Sequence, residues 1–105
     1  MVTSIEEAAV GFAAIGSEAR LQVLQTLVRA GENGLTVGDI QARSGMAAST
    51  LAHHLKFLAS AGLIDQEKVG RAVVNRANYN HLSMLADYIL DQCCAEEDRP
   101  RIATL

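Results

Sequence analysis

The chain has 105 residues and a formal net charge of −3; half of its residues are hydrophobic, 4% are aromatic and none is tryptophan. That length holds one domain, 1–105, with a core small enough to gain from a partner covering part of its surface, and no apolar run reaches membrane-spanning length. Glu6 and Glu7 interrupt the N-terminal apolar residues, which follow no basic run, so no secretory signal is expected and the expected location is cytoplasmic, where thiols stay reduced.

Alanine and leucine carry the apolar content, and Pro100 is the single proline, a composition that favours helices. From Ser4 to Ile15, the positions Ile5, Ala8, Ala9, Phe12 and Ile15 recur at helical spacing. Ser4 with Glu7 three residues later has the form of a capping box, and Gly16 ends this helix. Ser17 caps a second helix, for which Leu21, Leu24, Leu27 and Val28 form the expected buried face and Gly31 the stop. After the loop GENG, Thr36 and Asp39 repeat the cap pattern at the start of a third helix, which Gly45 closes.

The stretch from Leu35 to Gly62 contains two short amphipathic segments, TVGDIQARS and AASTLAHHLKFLAS, with Gly45-Met46 between them. Only a tight turn fits there, which is the outline of a helix-turn-helix. In the second segment Ala47, Leu51, Leu55 and Leu58 fall on one stripe and Ser49, His53, Lys56 and Ser60 on the opposite side. A face of hydrogen-bonding and cationic groups with compact side chains near its start suits a major groove. An ordinary surface helix shows the same separation, so the residues that follow decide.

After Gly62 the pattern alternates through Leu63, Ile64, Gln66 and Lys68 into Val69-Gly70-Arg71-Ala72, then Val73, Val74 and Arg76 toward Tyr79, which reads as a β-hairpin. A hairpin directly after a helix-turn-helix is a wing. It carries Lys68 and Arg71 near its tip and Arg76 on the return strand, as binding to phosphate or the minor groove would require; a solvated hairpin with charged edges is the plainer alternative. Between Arg43 and Arg76 only Asp65 and Glu67 oppose the basic residues, while Glu6, Glu7 and Glu18 gather near the start and Asp87, Asp91, Glu96, Glu97 and Asp98 near the end. One region is thus locally positive and the remainder repels phosphate.

The last segment, His81 to about Ala95, places Leu82, Leu85, Ala86, Ile89 and Cys93 on one stripe, and the tail EEDRPRIATL reads as frayed. Apolar faces on both terminal helices are satisfied most economically by a two-fold homodimer, which also presents two recognition helices to a two-fold site on double-stranded DNA. The expected fold is mainly α with a small β-hairpin, in the order α-α-α-α-β-β-α.

The segments SEARLQVLQTL, STLAHHLKFLASAGLI and VGRAVVNRANY are together similar to the ArsR/SmtB family of winged-helix repressors, from about Phe12 to Cys94, with HHLKFLASAGLI the most specific part. The resemblance implies a homodimeric repressor that sits on operator DNA and leaves it when an inducer binds, with no obligatory cofactor and with the last helix in the dimer interface. Family members often place Gln or Ser where this chain has Ala48 and Ala52, which shifts the expected readout to Ser49, Thr50, His53 and groove shape, with Lys56 beside them. His54 lies at the edge of the apolar stripe and reads as structural.

Inducer sites of the family differ between elements. The third-helix site needs a CxC-like run, where this chain has Thr36, Val37, Gly38 and Asp39; a zinc site across the last helices needs a second histidine beside His81, Asp87 and Asp91. Cys93-Cys94 remains, a soft pair suited to thiophilic ions. It resembles the adjacent cysteines of some arsenic-responsive members, which often carry a third cysteine that this chain lacks. Inorganic As(III) has three valences for sulfur and a methylarsenical two, so the expected inducer is a trivalent arsenical, with methylated or organic forms favoured and arsenite needing a non-protein third ligand. Adjacent residues on an intact helix point about 100° apart, so bridging both sulfurs is expected to unwind the helix end. Thiol oxidation, another soft ion, or an inert core role for Cys93 are the alternatives, as is a winged-helix module that binds protein in place of DNA. No metal cluster, phosphate loop or nucleophile–base set points to an enzyme.

Overall fold

Short polar side chains start the helices. Ser4 Oγ accepts from the Glu7 amide at 3.1 Å, and Ser17 Oγ from that of Arg20 at 3.4 Å. Thr36 Oγ1 accepts from the Asp39 amide at 3.2 Å while Asp39 Oδ2 takes the Thr36 amide at 3.1 Å, a complete capping box. Each satisfied cap stabilises a helix by about 1 kcal/mol. The computed structural model describes residues 4–97 as α1 (Ile5–Ile15), α2 (Glu18–Ala30), β1 (Leu35–Thr36), α3 (Val37–Ser44), α4 (Ala48–Ser60), β2 (Ile64–Val69), β3 (Ala72–Ala77) and α5 (Tyr79–Leu90). This is the expected mainly helical winged helix-turn-helix, with one strand more than the hairpin.

The extra strand, β1, pairs antiparallel with β3 through Leu35↔Asn75 and Thr36↔Val74 and makes the sheet order β1-β3-β2. Two residues are too few to show a period, so the loop after α2 concealed it. Its anchor is Asn75, fully buried, which donates from Nδ2 to the Leu35 carbonyl (3.1 Å) and accepts at Oδ1 from Gln66 Nε2 (2.8 Å). One amide thus joins all three strands and leaves neither of its ends unpaired.

Leu51, Leu55 and Leu58 of α4 are buried against α2 and α3, where Val23, Leu27 and Ile40 meet them. The expected α2 face is partly displaced: Leu24 and Leu27 are buried as expected, but Leu21 (39% exposed) and Val28 (41%) turn outward and Val23 takes the inner place. The inner line of α2 follows the direction of α4 and β3, which composition alone does not fix. Ala47, expected on the inner stripe of α4, is instead its exposed N-cap.

Two further expectations change at the terminal helices. In α1 the inner residues are Ala8, Gly11 and Ala14, while Ile5 (67%) and Val10 (56%) face out and Phe12 is part exposed. Gly11 is there for proximity, since a Cβ on it would lie 2.7 Å from Leu85 Cδ1 of α5. Helix α5 starts at Tyr79, because Asn78 Oδ1 caps the His81 amide (3.1 Å), and ends at Leu90 rather than near Ala95. Among the described residues none after Leu85 is fully buried and only Tyr88 still packs against the core, so the protomer offers those turns little packing, and short helices without it are marginal. The tail beyond Glu97 lies outside the described residues.

Candidate nucleic-acid interface

The outer face of α4 carries Ser49, Thr50, His53, Lys56 and Ser60, all exposed. At its start, the N-cap Ala47 has extended backbone and no side-chain acceptor. The first helical bond is Leu51 N–H to the Ala47 carbonyl. The amides of Ala48, Ser49 and Thr50 therefore precede the helical ladder and point out of an uncapped N-terminus. A helix end of that kind attracts phosphate oxygens, and the small side chains Ala47, Ala48 and Ser49 allow close approach.

The turn ahead of α4 is held by its own hydrogen bonds. Gly45 takes the left-handed conformation (φ 73°) and donates to the Gln41 carbonyl at 2.8 Å. Ser44 Oγ accepts from the Met46 amide (3.2 Å) and Gln41 Nε2 donates to the Met46 carbonyl (3.4 Å). These bonds fix the angle at which α4 leaves α3.

A second constraint comes from Arg20 in the first turn of α2. Its Nε donates to the Ala14 carbonyl at 2.6 Å and Nη2 to that of Ala13 at 3.4 Å, satisfying the end of α1. The same guanidinium lies 4.3 Å from the ring centroid of Phe57 on α4. One side chain therefore ties α1, α2 and the recognition helix together. His54 is half-buried, its Nδ1 enclosed without a hydrogen-bond partner, so it faces the fold. His53, 6.2 Å away ring to ring, is exposed.

On the wing, Lys68 is the penultimate residue of β2 and Arg71 occupies the turn beside Gly70, both exposed. Arg76 lies differently. Its Nη1 pairs with Glu67 Oε1 at 2.8 Å and its Nε donates to the Glu32 carbonyl at 2.7 Å, so it braces β2 and the loop after α2. The wing therefore presents two unneutralised cations at its tip and a neutralised one at its base.

Cys93 and Cys94 sit apart from this surface, beyond the last turn of α5, with their sulfurs 3.5 Å apart. Cys94 has φ 62°, a left-handed backbone that few non-glycine residues adopt, and the Cys93 amide donates to the Leu90 carbonyl at 2.8 Å. The expected unwinding is thus unnecessary: α5 has already ended, and the turn directs both thiols to one side. Metal–sulfur bonds of about 2.3 Å let one atom touch both. Among the described residues no group of three or more His, Cys, Asp or Glu is placed to hold a metal ion.

A family model described as a helix-turn-helix domain matches residues 15–67. The chain is similar to an ArsR-like transcriptional regulator from Rhodococcus sp. RHA1, at 32% identity with a TM-score of 0.74, over 90% of this chain and 85% of that one. The chain belongs to the ArsR family. It is also similar to an uncharacterised HTH-type transcriptional regulator, YbzH, of Bacillus subtilis, 29% identical over 90 residues (74% of this chain, 90% of the relative). A solved structure described as a possible transcriptional regulator for arsenical resistance is 26% identical, with a TM-score of 0.64 over 83% of this chain and 95% of that one.

As an ArsR-family protein the chain is a DNA-binding transcriptional regulator, and its relatives are regulators, not enzymes. No helix of the described residues is long and apolar enough to cross a membrane. Sequence reasoning missed the residues that orient the ArsR reading helix, Arg20, Gln41 and Ser44. Gln41 and Ser44 flank the Gly-Met turn, and that position is a local signal of their role; the span from Arg20 to Phe57 leaves none.

Proposed function

We propose that this ArsR-family regulator is a homodimeric repressor that binds double-stranded operator DNA and is released by a trivalent arsenical held at Cys93 and Cys94. The observation that carries the inducer is the 3.5 Å separation of the two sulfurs outside the helix. The sequence holds two cysteines, which matches the two sulfur-seeking valences of a methylarsenical, and the similarity to the possible arsenical-resistance regulator lends support.

Ser49, Thr50, His53 and Lys56 meet the major groove in this reading, and Lys68 and Arg71 meet phosphate from the wing. Arg76 keeps the wing in place. Dimerisation is supported by the outward apolar residues Ile5 and Val10 of α1 and Ile89 (65% exposed) and Leu90 (58%) of α5, on two helices that pack together where Gly11 meets Leu85. Cys93 follows Leu90 by three residues. A ligand that fixes the bond angle between the two sulfurs constrains the turn directly adjoining that face, which gives the inducer a route to the spacing of the two recognition helices.

The same sulfur proximity favours thiol oxidation as a second reading, but consecutive Cα atoms are about 3.8 Å apart and ordinary disulfides span about 4.4–6.8 Å, which disfavours a disulfide between them. Native mass spectrometry of the reduced protein with phenyl- or methylarsenous acid tests the site. One arsenic per chain is expected in the wild type and none retained in Cys93→Ser or Cys94→Ser; retention in either variant would remove the two-thiol site.

A further inference from the structure

The geometry points to a second ligand site, for a small organic anion with an apolar body, in the groove between α2 and α5. The groove is open to solvent and has a volume of about 700 Å³, within the range of small-molecule sites. Its floor is Leu24 and Val28 from α2 and Leu82 from α5, and Gln22 and Gln25 line it with amides. At Thr26 and Arg29 it continues into a polar cleft whose other wall is Arg43 of α3. An apolar trough therefore opens onto two guanidinium groups contributed by different helices.

Neither cation is held in an ion pair among the described residues, where the ion pair formed is Arg76 with Glu67. Asp39, one turn before Arg43, gives its carboxylate to the Thr36 amide and feels the Arg43 charge without forming an ion pair with it. Thr26 Oγ1 donates to the Gln22 carbonyl at 2.9 Å, so its proton is committed and the donors facing the cleft are the guanidiniums. Two arginine forks beside an apolar floor suit a carboxylate carrying an aliphatic or aromatic chain. A DNA backbone, the other source of anionic oxygen, has no use for the floor.

The walls are also held together. Tyr79 Oη, in the first turn of α5, donates to the Val28 carbonyl in the last turn of α2 at 3.2 Å. An occupant lying between these helices bears on α5, the helix that leads to Leu90 and the cysteines. Binding itself is independent of the arsenical site; only an effect on operator affinity rests on the repressor reading.

The test uses the full chain and the fluorescence of 1-anilinonaphthalene-8-sulfonate, with octanoate as competitor and octan-1-ol as its uncharged counterpart. Saturable dye binding is expected, displaced by octanoate but not by octanol. Arg29→Gln/Arg43→Gln should weaken octanoate at least about tenfold, the scale of one charged hydrogen bond. Val28→Glu, which places a carboxylate in the groove and leaves both arginines in place, should do the same, with unchanged circular dichroism. Cys93→Ser/Cys94→Ser should bind octanoate like the wild type, which separates this site from the arsenical one. Non-saturable binding, or unchanged octanoate affinity in the double arginine variant, would overturn the proposal. So would a double variant whose only change is a shallower salt dependence on DNA, which would assign the arginines to the phosphate backbone.

Discussion

Arg20 is the side chain on which the orientation of the reading helix depends most. Removing it takes the short 2.6 Å donor from the Ala14 carbonyl, leaves the Ala13 carbonyl with the Gly16 amide alone, and uncovers the Phe57 ring. Arg20→Ala should therefore cost about 2 kcal/mol in urea unfolding, and Arg20→Lys should recover only part, because an ammonium lacks the planar fork. Asp39 offers a pH test. The Thr36 backbone amide first, then the Thr36 side chain, hold its carboxyl below the ordinary aspartate range, with a lesser contribution from the Arg43 charge. A group whose pKa falls on folding adds stability that is present above its unfolded value and is lost as pH falls through its folded one. The stability difference between wild type and Thr36→Val should hold above the aspartate range and narrow in stronger acid, and NMR titration should find Asp39 nearer its ordinary value in the variant. Thr36 and Asp39 were legible in the sequence because a capping box is a local pattern. Arg20 was not, since its partners lie on two other helices.

Among the elements, those bounded by local chemistry were readable and those bounded by packing were not. Ser4, Ser17 and Thr36 announced three helix starts, and Gly45 and Gly62 two ends. The limits of α5 and the inner line of α1 were misplaced because an apolar face that awaits a partner has the same period as one already buried. On the wing, alternation placed the hairpin but could not tell an exposed cation from a paired one. Lys68→Gln/Arg71→Gln should reduce the dependence of log affinity on log salt by about 0.9 for each phosphate no longer neutralised. Arg76→Gln should leave that dependence unchanged while lowering stability by about 1 kcal/mol, given its partly solvated partners. A salt dependence that falls equally in both variants would return Arg76 to the DNA.

At the scale of the whole molecule, the proposed two-fold operator would take two copies, and the proposed dimer joins them through the outward residues of α1 and α5. Ile89→Glu/Leu90→Glu should sediment as a monomer and bind operator DNA at least about tenfold more weakly, since each half-site is then engaged alone. The cysteine pair and its soft chemistry were plain in the sequence. The turn that brings the sulfurs together was not, because helical periodicity continues past Leu90 while packing against the protomer's core stops at Tyr88. Whether that pair governs DNA binding is decided most directly by fluorescence anisotropy of the reduced protein on its own upstream DNA, titrated in parallel with a trivalent methylarsenical and arsenite. Release by the methylated compound at the lower concentration, abolished in Cys93→Ser and in Cys94→Ser while both variants still bind DNA, is the predicted result. A wild-type complex that neither compound dissociates would contradict the account.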